Sequence, residues 1–215
     1  MDFLVDPFVA VVTRGSSPYC ETPVSYWLNI VSNAAHFAAA YFAFRYLRTN
    51  RIKSKLFFAL VALLFFLGIG STLWHAFPMP LTDFTDSFPS GLFVFLITLA
   101  LFEKVVPYRS LALGVLFLIT MLIIFLEPLH LLHGSFVYIV ILGVLAGILI
   151  KLKQKYPEVS SLWILVLALF GVAIFFRTID FVTCDLFGFG THFVWHMLAA
   201  VAAYFGIRFL AKGVS

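Results

Sequence analysis

Two histidines four positions apart are the first residues whose type and spacing could support chemistry. In a helix, the spacing of His192 and His196 places both imidazoles on one face. Two histidines arranged in this way can chelate a metal ion. The same spacing is also typical of two core histidines that hydrogen-bond to neighbouring helices, so the pair alone leaves both interpretations open.

Two further pairs of polar residues have similarly short spacings. Ser71 and His75 are four positions apart, and Asp83 and Asp86 follow them in the sequence. A serine at such a spacing often bonds the backbone of its own helix. An aspartate at a helix start often caps it, because its carboxylate accepts the unpaired N–H groups of the first turn. Each pair therefore also has a purely structural explanation.

The elements that position these residues are predicted to lie in a membrane. Of the 215 residues, 63% are hydrophobic and only 11% are charged, whereas soluble domains are about 45–50% apolar and about 25% charged. Such a composition excludes a disordered chain. A formal net charge of +4 is too small for a surface that follows nucleic-acid phosphates, so no nucleic-acid partner is expected. The sequence indicates a multi-spanning membrane protein.

Seven apolar stretches are predicted to cross the membrane as helices. They cover residues 24–47, 55–77, 88–102, 111–126, 135–150, 162–176 and 191–210. The predicted fold is therefore all-α, a bundle of seven transmembrane helices. Because these spans use nearly the whole chain, residues 1–215 are predicted to form a single domain.

Basic residues predict the orientation of this bundle. Twelve of the fourteen Lys and Arg residues lie on one side of the predicted spans, and only Arg14 and Arg177 lie on the other. Because basic loops stay in the cytoplasm, the C-terminus is predicted to be cytoplasmic and the N-terminus to lie outside. Cys20 and Cys184 then both lie on the outer, oxidising side, which predicts a disulfide between them. Two buried free thiols are the alternative.

The predicted topology brings the polar residues to one depth, at the outer end of the bundle. His75 ends the second span, Asp86 opens the third, and His192 and His196 open the seventh. Three neutral imidazoles, with the fourth coordination position left open for water, are typical of a catalytic zinc site. Zinc lowers the pKa of a bound water toward about 7, Asp86 could take the proton, and Ser71 could donate to a developing oxyanion.

Three other ionisable residues are assigned more modest roles. His36 is expected to be a packed or helix-bonding side chain of the first span. Arg177 and Asp180 are close enough in the sequence to pair at the outer rim of the sixth span. Such a pair would either shape the mouth of the site or be structural.

With these residues identified, the sequence resembles the alkaline ceramidase family, within a wider group of seven-span membrane hydrolases that includes progestin and adiponectin receptors. The resemblance covers nearly the whole chain and is closest to the bacterial ceramidase-domain branch. It rests on three blocks. The first is Tyr19-Cys20-Glu21 with Asn29-Ile30-Val31-Ser32-Asn33, and the second is Gly68-Ile69-Gly70-Ser71 through His75, followed by Asp86. The third is Phe176-Arg177-Thr178 through Asp180, followed by Gly190-Thr191-His192 and His196.

The resemblance implies a zinc-dependent amidase that cleaves the N-acyl bond of ceramide-like lipids to a fatty acid and a sphingoid base. It assigns His75, His192 and His196 to the zinc ion, and Ser71 and Asp86 to the residues that hold or activate the zinc-bound water. It also implies an integral protein of the bacterial inner membrane with a lipid substrate. We expect a monomer.

One departure from the family concerns calcium. Eukaryotic members have an acidic calcium site before and within the first span. Glu21 is retained here, but Pro18, Tyr19, Pro23 and Tyr26 occupy its neighbourhood, which argues against a calcium site.

Two other functions remain open at this point. One is an ester or phospholipid hydrolase with the same zinc site, and the other is a seven-span lipid receptor or transporter in which zinc is structural. Asp86 and Ser71 favour an enzyme, because a structural zinc needs neither a base nor an open position for water.

Overall fold

The computed structural model describes residues 19–106, 108–126, 132, 134–155 and 160–212. In these ranges the chain forms helices and connecting turns and contains no strand, which confirms the all-α prediction. The helices, in chain order, are α1 (Pro23–Ser32), α2 (Ala34–Thr49), α3 (Lys55–Ala76), α4 (Pro80–Val105), α5 (Arg109–Leu126), α6 (Phe136–Lys155), α7 (Ser160–Thr178), α8 (Asp180–Phe187) and α9 (His192–Lys212).

Five of these helices are long and apolar enough to cross a membrane, namely α3, α4, α6, α7 and α9. Each has at least the 18 or so residues that a bilayer core requires. Large apolar side chains such as Phe66, Phe117 and Phe175 remain more than half exposed, as expected for surfaces that face lipid. These helices are consistent with an integral membrane protein.

The first predicted span, residues 24–47, is divided into two helices. α1 ends at Ser32 and α2 begins at Ala34, with Asn33 in a turn between them. The buried Asn33 side chain donates from Nδ2 to the carbonyl of Asn29 at 3.0 Å. An asparagine that bonds nearby backbone competes with the helical hydrogen bonds, and a count of apolar residues does not detect this effect.

The third predicted span begins earlier than residue 88. α4 starts at Pro80, where a missing N–H has no helical partner to lose, and Thr82 Oγ1 accepts a hydrogen bond from the Met79 N–H at 3.0 Å. Asp86 therefore lies inside α4, and the alternative in which it caps the helix is wrong.

Small residues allow close packing of the helices. The most extensive helix contact joins α3 and α4, and at Gly70 an added Cβ would collide with the carbonyl oxygen of Thr85. On α2, Ala39, Ala40 and Ala43 are buried, and this helix packs against α3 and α9. In a membrane, such contacts between small residues are a main source of helix association. The Gly70 contact brings the end of α3 against the first turns of α4.

The connection between α7 and α9 contains the short helix α8, which the sequence pattern did not predict. Cys184 on α8 forms a disulfide with Cys20, which precedes α1. The predicted cysteine pairing is thereby confirmed. The bond fixes the segment before the first helix to the connection before the last one.

Candidate metal centre

Three buried histidines meet at one end of the bundle. His75 is in the last turn of α3, and His192 and His196 are in the first two turns of α9. One nitrogen of each ring lies within 4.8 Å of the others, and the ring centroids are 4.6 to 5.3 Å apart. The structure thus brings together the three predicted ligands. Three imidazole nitrogens are a donor set compatible with zinc.

The His75 ring is oriented by a carboxylate. Its Nδ1 lies 3.0 Å from Oε1 of Glu21, the residue after Cys20. With Nδ1 donating its proton to that carboxylate, Nε2 carries the lone pair. The Nε2 atom is buried and has no hydrogen-bond partner among the described residues. A buried acceptor without a donor is the arrangement expected of a metal ligand.

The His196 ring is oriented by a hydroxyl. Its Nδ1 lies 2.8 Å from Ser32 Oγ, and Ser32 donates its own proton to the carbonyl of Asn29 at 3.0 Å. The hydroxyl is therefore the acceptor in its contact with His196, so the imidazole holds its proton on Nδ1. This leaves the Nε2 lone pair free for a metal.

The His192 ring is held by stacking. Tyr19 lies against it with ring centroids 3.7 Å apart and an angle of 23° between the planes. The His192 Nδ1 atom is buried without a hydrogen-bond partner in the described part of the protein. Burial raises the pKa of the Tyr19 phenol to about 12, so Tyr19 remains a neutral hydroxyl next to the imidazoles.

Asp180 anchors the backbone around this centre. Its Oδ2 accepts from the Cys20 N–H at 2.7 Å, and its Oδ1 accepts from the His192 N–H at 2.8 Å. Thr191 adds a third backbone donor. Burial raises the pKa of the Asp180 carboxyl, while these N–H donors act in the opposite direction. An added Cβ at Gly190 would collide with Asp180 Oδ1, so this approach requires glycine.

The predicted pairing of Arg177 with Asp180 is wrong. Among the described residues, the contacts of ion-pair length join Glu21 with His75 and Glu103 with Arg109, and neither includes Arg177 or Asp180. The Asp180 oxygens instead accept hydrogen bonds from backbone N–H groups. These hydrogen bonds stabilise the buried carboxylate without a guanidinium.

Arg177 is buried among aromatic rings. Its guanidinium carbon is 4.7 Å from the ring centroid of Tyr19, 4.9 Å from that of Tyr138 and 5.5 Å from that of Trp195. Arg177 also hydrogen-bonds the Tyr19 side chain. These rings hold the positive charge beside the cluster by cation–π attraction.

Ser71 and Asp86 lie together beside the histidines. Ser71 is buried one helical turn before His75, and Asp86 is half-buried on α4. The two side chains form a hydrogen bond, and the Asp86 carboxylate interacts electrostatically with His75. All five predicted site residues are therefore at the same end of the bundle.

Sequence reasoning missed the residues that orient the ligands. Glu21 entered only as part of a family motif and of the family's calcium site, and Ser32 only as part of a motif. A signal was present for Ser32, because a hydroxyl inside a predicted span needs a partner. His36, in contrast, is buried as expected, with its ring centroid 6.1 Å from that of His196.

Comparison with known sequences identifies a family to which this chain is similar. The sequence model of the family described as Ceramidase matches residues 19–212, a region that includes every residue of the centre. A comparison with individual curated proteins finds none that matches. Because the family match covers most of the chain, the protein belongs to the ceramidase family.

Proposed function

We propose that this protein is a zinc-dependent membrane amidase that hydrolyses the N-acyl bond of ceramide-like lipids. Family membership implies a hydrolase that acts on amide bonds and a lipid substrate. The observation that supports zinc most directly is the buried Nε2 of His75, which has no hydrogen-bond partner among the described residues and lies beside His192 and His196.

The residues present fit a zinc ion. His75 and His196 each place Nδ1 within hydrogen-bond distance of an oxygen, Glu21 Oε1 and Ser32 Oγ. With the proton on Nδ1, each ring keeps its lone pair on Nε2. At zinc sites a histidine commonly binds the metal through one ring nitrogen and donates the other N–H to an oxygen in this way. When bound there, zinc would supply Lewis-acid chemistry and make a water acidic enough to attack near neutral pH.

Asp86 is the proposed general base and acid. It takes a proton from the attacking water as the oxygen bonds to the amide carbon, and it returns that proton to the nitrogen as the C–N bond breaks. One amide and one water thus give one carboxylic acid and one amine. Its position beside the histidines, inside α4, supports this assignment.

Ser71 acts after Asp86 has taken a proton, as a hydrogen-bond donor to the substrate. In the resting site its hydroxyl bonds the Asp86 side chain. Once Asp86 holds the proton, the carboxyl can donate to Ser71 Oγ, and the Ser71 O–H can then donate to the oxyanion that develops on the substrate.

The proposal includes the membrane arrangement deduced from the sequence. Together α1 and α2 would form the first span and α5 the fourth, which gives a single seven-span domain with the N-terminus outside and the C-terminus in the cytoplasm. The distribution of Lys and Arg supports this orientation. The bacterial inner membrane and a monomeric state are parts of the same proposal.

The test is metal analysis combined with product analysis of the purified protein in detergent. We expect about one zinc per chain, release of fatty acid and sphingoid base from ceramide, loss of this activity on chelation, and recovery with zinc. His192→Ala should lose both zinc and activity, whereas His36→Asn, which changes a buried histidine outside the ligand set, should keep both.

Other outcomes would contradict the proposal in distinct ways. Undiminished ceramide hydrolysis by the metal-free protein would exclude a catalytic zinc. Cleavage of phospholipid esters without cleavage of any N-acyl lipid would assign an ester hydrolase. Bound zinc with no turnover of any lipid would assign a structural metal in a receptor or transporter.

A further inference from the structure

The proposed mechanism leaves Arg177 without a role, although it lies beside the metal centre. The residue is 7% exposed, and its Nε is buried without a hydrogen-bond partner in the described part of the chain. No described carboxylate is within ion-pair distance of its guanidinium. A charged group inside a membrane protein is costly, and it usually pairs with another group or takes part in function.

The surrounding groups offset this cost only in part. Three aromatic rings face the guanidinium, the Tyr19 side chain forms a hydrogen bond with it, and Asp86 interacts with it electrostatically at longer range. A cation–π contact is weaker than a buried ion pair with direct hydrogen bonds. The unpartnered Nε is a donor available to a further acceptor.

One aromatic ring, that of Tyr19, contacts both the guanidinium of Arg177 and the imidazole of His192. Tyr19 stacks on His192 at 3.7 Å and has Arg177 at 4.7 Å from the same ring. On the other side, an added Cβ at Gly134 would be 3.6 Å from Arg177 Nη2. The next residue, Ser135, has a buried hydroxyl without a partner among the described residues. Arg177 Nε and Ser135 Oγ are thus both buried without a hydrogen-bond partner among the described residues.

We infer that Arg177 binds an anionic group on the amine half of the substrate, so that the site takes N-acyl lipids with a carboxylate or phosphate close to the amide. This inference rests on the proposed amidase function. The acyl half of such a lipid is a hydrocarbon chain beyond its carbonyl. An anion within reach of both the zinc ligands and Arg177 therefore belongs to the amine half. Guanidinium suits either anion because it presents paired N–H donors.

The first test compares three substrates that have the same acyl chain. These are a neutral ceramide, its 1-phosphate, and a long-chain N-acyl amino acid, which has a carboxylate two bonds from the amide nitrogen. We expect at least one of the two anionic substrates to have a higher kcat/KM than ceramide. The anion that the site prefers is identified by whether the 1-phosphate or the N-acyl amino acid has the higher value. In Arg177→Gln this preference should fall by about tenfold or more, and Arg177→Lys should retain part of it.

Arg208→Gln is the matched control. Arg208 is also held by aromatic rings, with Tyr46 at 5.0 Å and Tyr204 at 5.6 Å, but it lies near the opposite end of α9 from His192. This variant should leave the ratio between anionic and neutral substrates unchanged. Zinc content measured for every variant shows whether the centre is still assembled.

The second test measures binding without catalysis. Metal-free wild-type protein should bind the N-acyl amino acid more tightly than its methyl ester, which has the same shape and no charge. Arg177→Gln should lose this difference. Equal binding of acid and ester by the wild type, or an unchanged preference in Arg177→Gln, would overturn the inference. If the zinc-loaded protein cleaves none of the lipids, the amidase proposal fails, while the binding comparison still decides the role of Arg177.

Discussion

The Nδ1 atom of His75 lies 3.0 Å from Oε1 of Glu21, a residue 54 positions earlier in the sequence. This hydrogen bond joins the segment before α1 to the last turn of α3. It fixes the side of the imidazole that bears the proton, and the opposite nitrogen, Nε2, is buried without a hydrogen-bond partner among the described residues. The orientation of a proposed ligand is therefore set by a residue outside the membrane-spanning helices.

Replacing Glu21 should weaken zinc binding without removing a ligand. In Glu21→Gln the ring loses its anionic acceptor, and loss of such a partner lowers metal affinity by about 10- to 100-fold. Competition with a chelator of known affinity measures the change. Glu103→Gln, which alters an exposed glutamate paired with Arg109, should bind zinc as the wild type does. Wild-type zinc affinity in Glu21→Gln would show that the hydrogen bond has no influence on the metal.

Replacing Asp86 should separate metal binding from catalysis. Asp86→Asn keeps the shape of the side chain but cannot take a proton, so we expect zinc content to stay at the wild-type level and kcat to fall by about 10²- to 10⁴-fold. The control is Asp83→Asn, an exposed aspartate almost one turn earlier on the same helix, which should retain its rate. Full activity of Asp86→Asn in detergent would assign the base to another group.

A methyl group at Gly70 should disturb the site through the contact between α3 and α4. In Gly70→Ala the new Cβ meets the Thr85 carbonyl, so α3 and α4 must move apart and the bond between Ser71 and Asp86 is strained. Overpacking of this kind costs about 1–3 kcal/mol of stability. Thermal unfolding in detergent and the rate of ceramide hydrolysis should both decrease.

Gly91→Ala is the matched control for this effect. A Cβ at Gly91 has no neighbouring atom within 4 Å, and alanine favours a helix over glycine by about 1 kcal/mol. This variant should be as stable as the wild type or more so. Equal behaviour of the two alanine variants would contradict the close contact between α3 and α4.

Loss of the disulfide should reduce both stability and metal retention. Cys20 lies between Tyr19, which stacks on His192, and Glu21, which bonds His75. In Cys184→Ser the segment that contains these two residues loses its covalent tie to α8. We expect a lower thermal midpoint and faster release of zinc to a chelator.

Reductant provides the control for this experiment. It should reproduce both effects in the wild type, and it should change nothing further in the double variant Cys20→Ser, Cys184→Ser, because no other cysteine is present in the chain. A wild-type protein that keeps its zinc equally well with and without reductant would show that the hydrogen bonds of Asp180 alone hold the segment.

Local periodicity was sufficient to find the three histidines that the structure brings together. His192 and His196 share a helix face because of their spacing, and the orientation of the spans placed His75 at the same end. Polar residues are rare inside an apolar chain, so each one was visible. The same reasoning found the disulfide, since both cysteines fell on one side of the predicted membrane.

Interactions that depend on tertiary packing could not be found in this way. The turn at Asn33 arises from a side chain that bonds the carbonyl of Asn29, and apolar composition continues across it. The bond between Ser32 and His196 joins residues 164 positions apart. No spacing rule relates such residues, because their distance is set by how α1 packs against α9.

The bond between Ser32 and His196 has a consequence for biosynthesis. A ribosome releases the region around His75 long before α9 exists, so a partly synthesised chain has one of the three histidines and none of the contacts that join α1 to α9. The metal centre can form only after the last helix has inserted next to the first. A chain truncated before His192 therefore lacks two of the three histidines that could hold a metal ion.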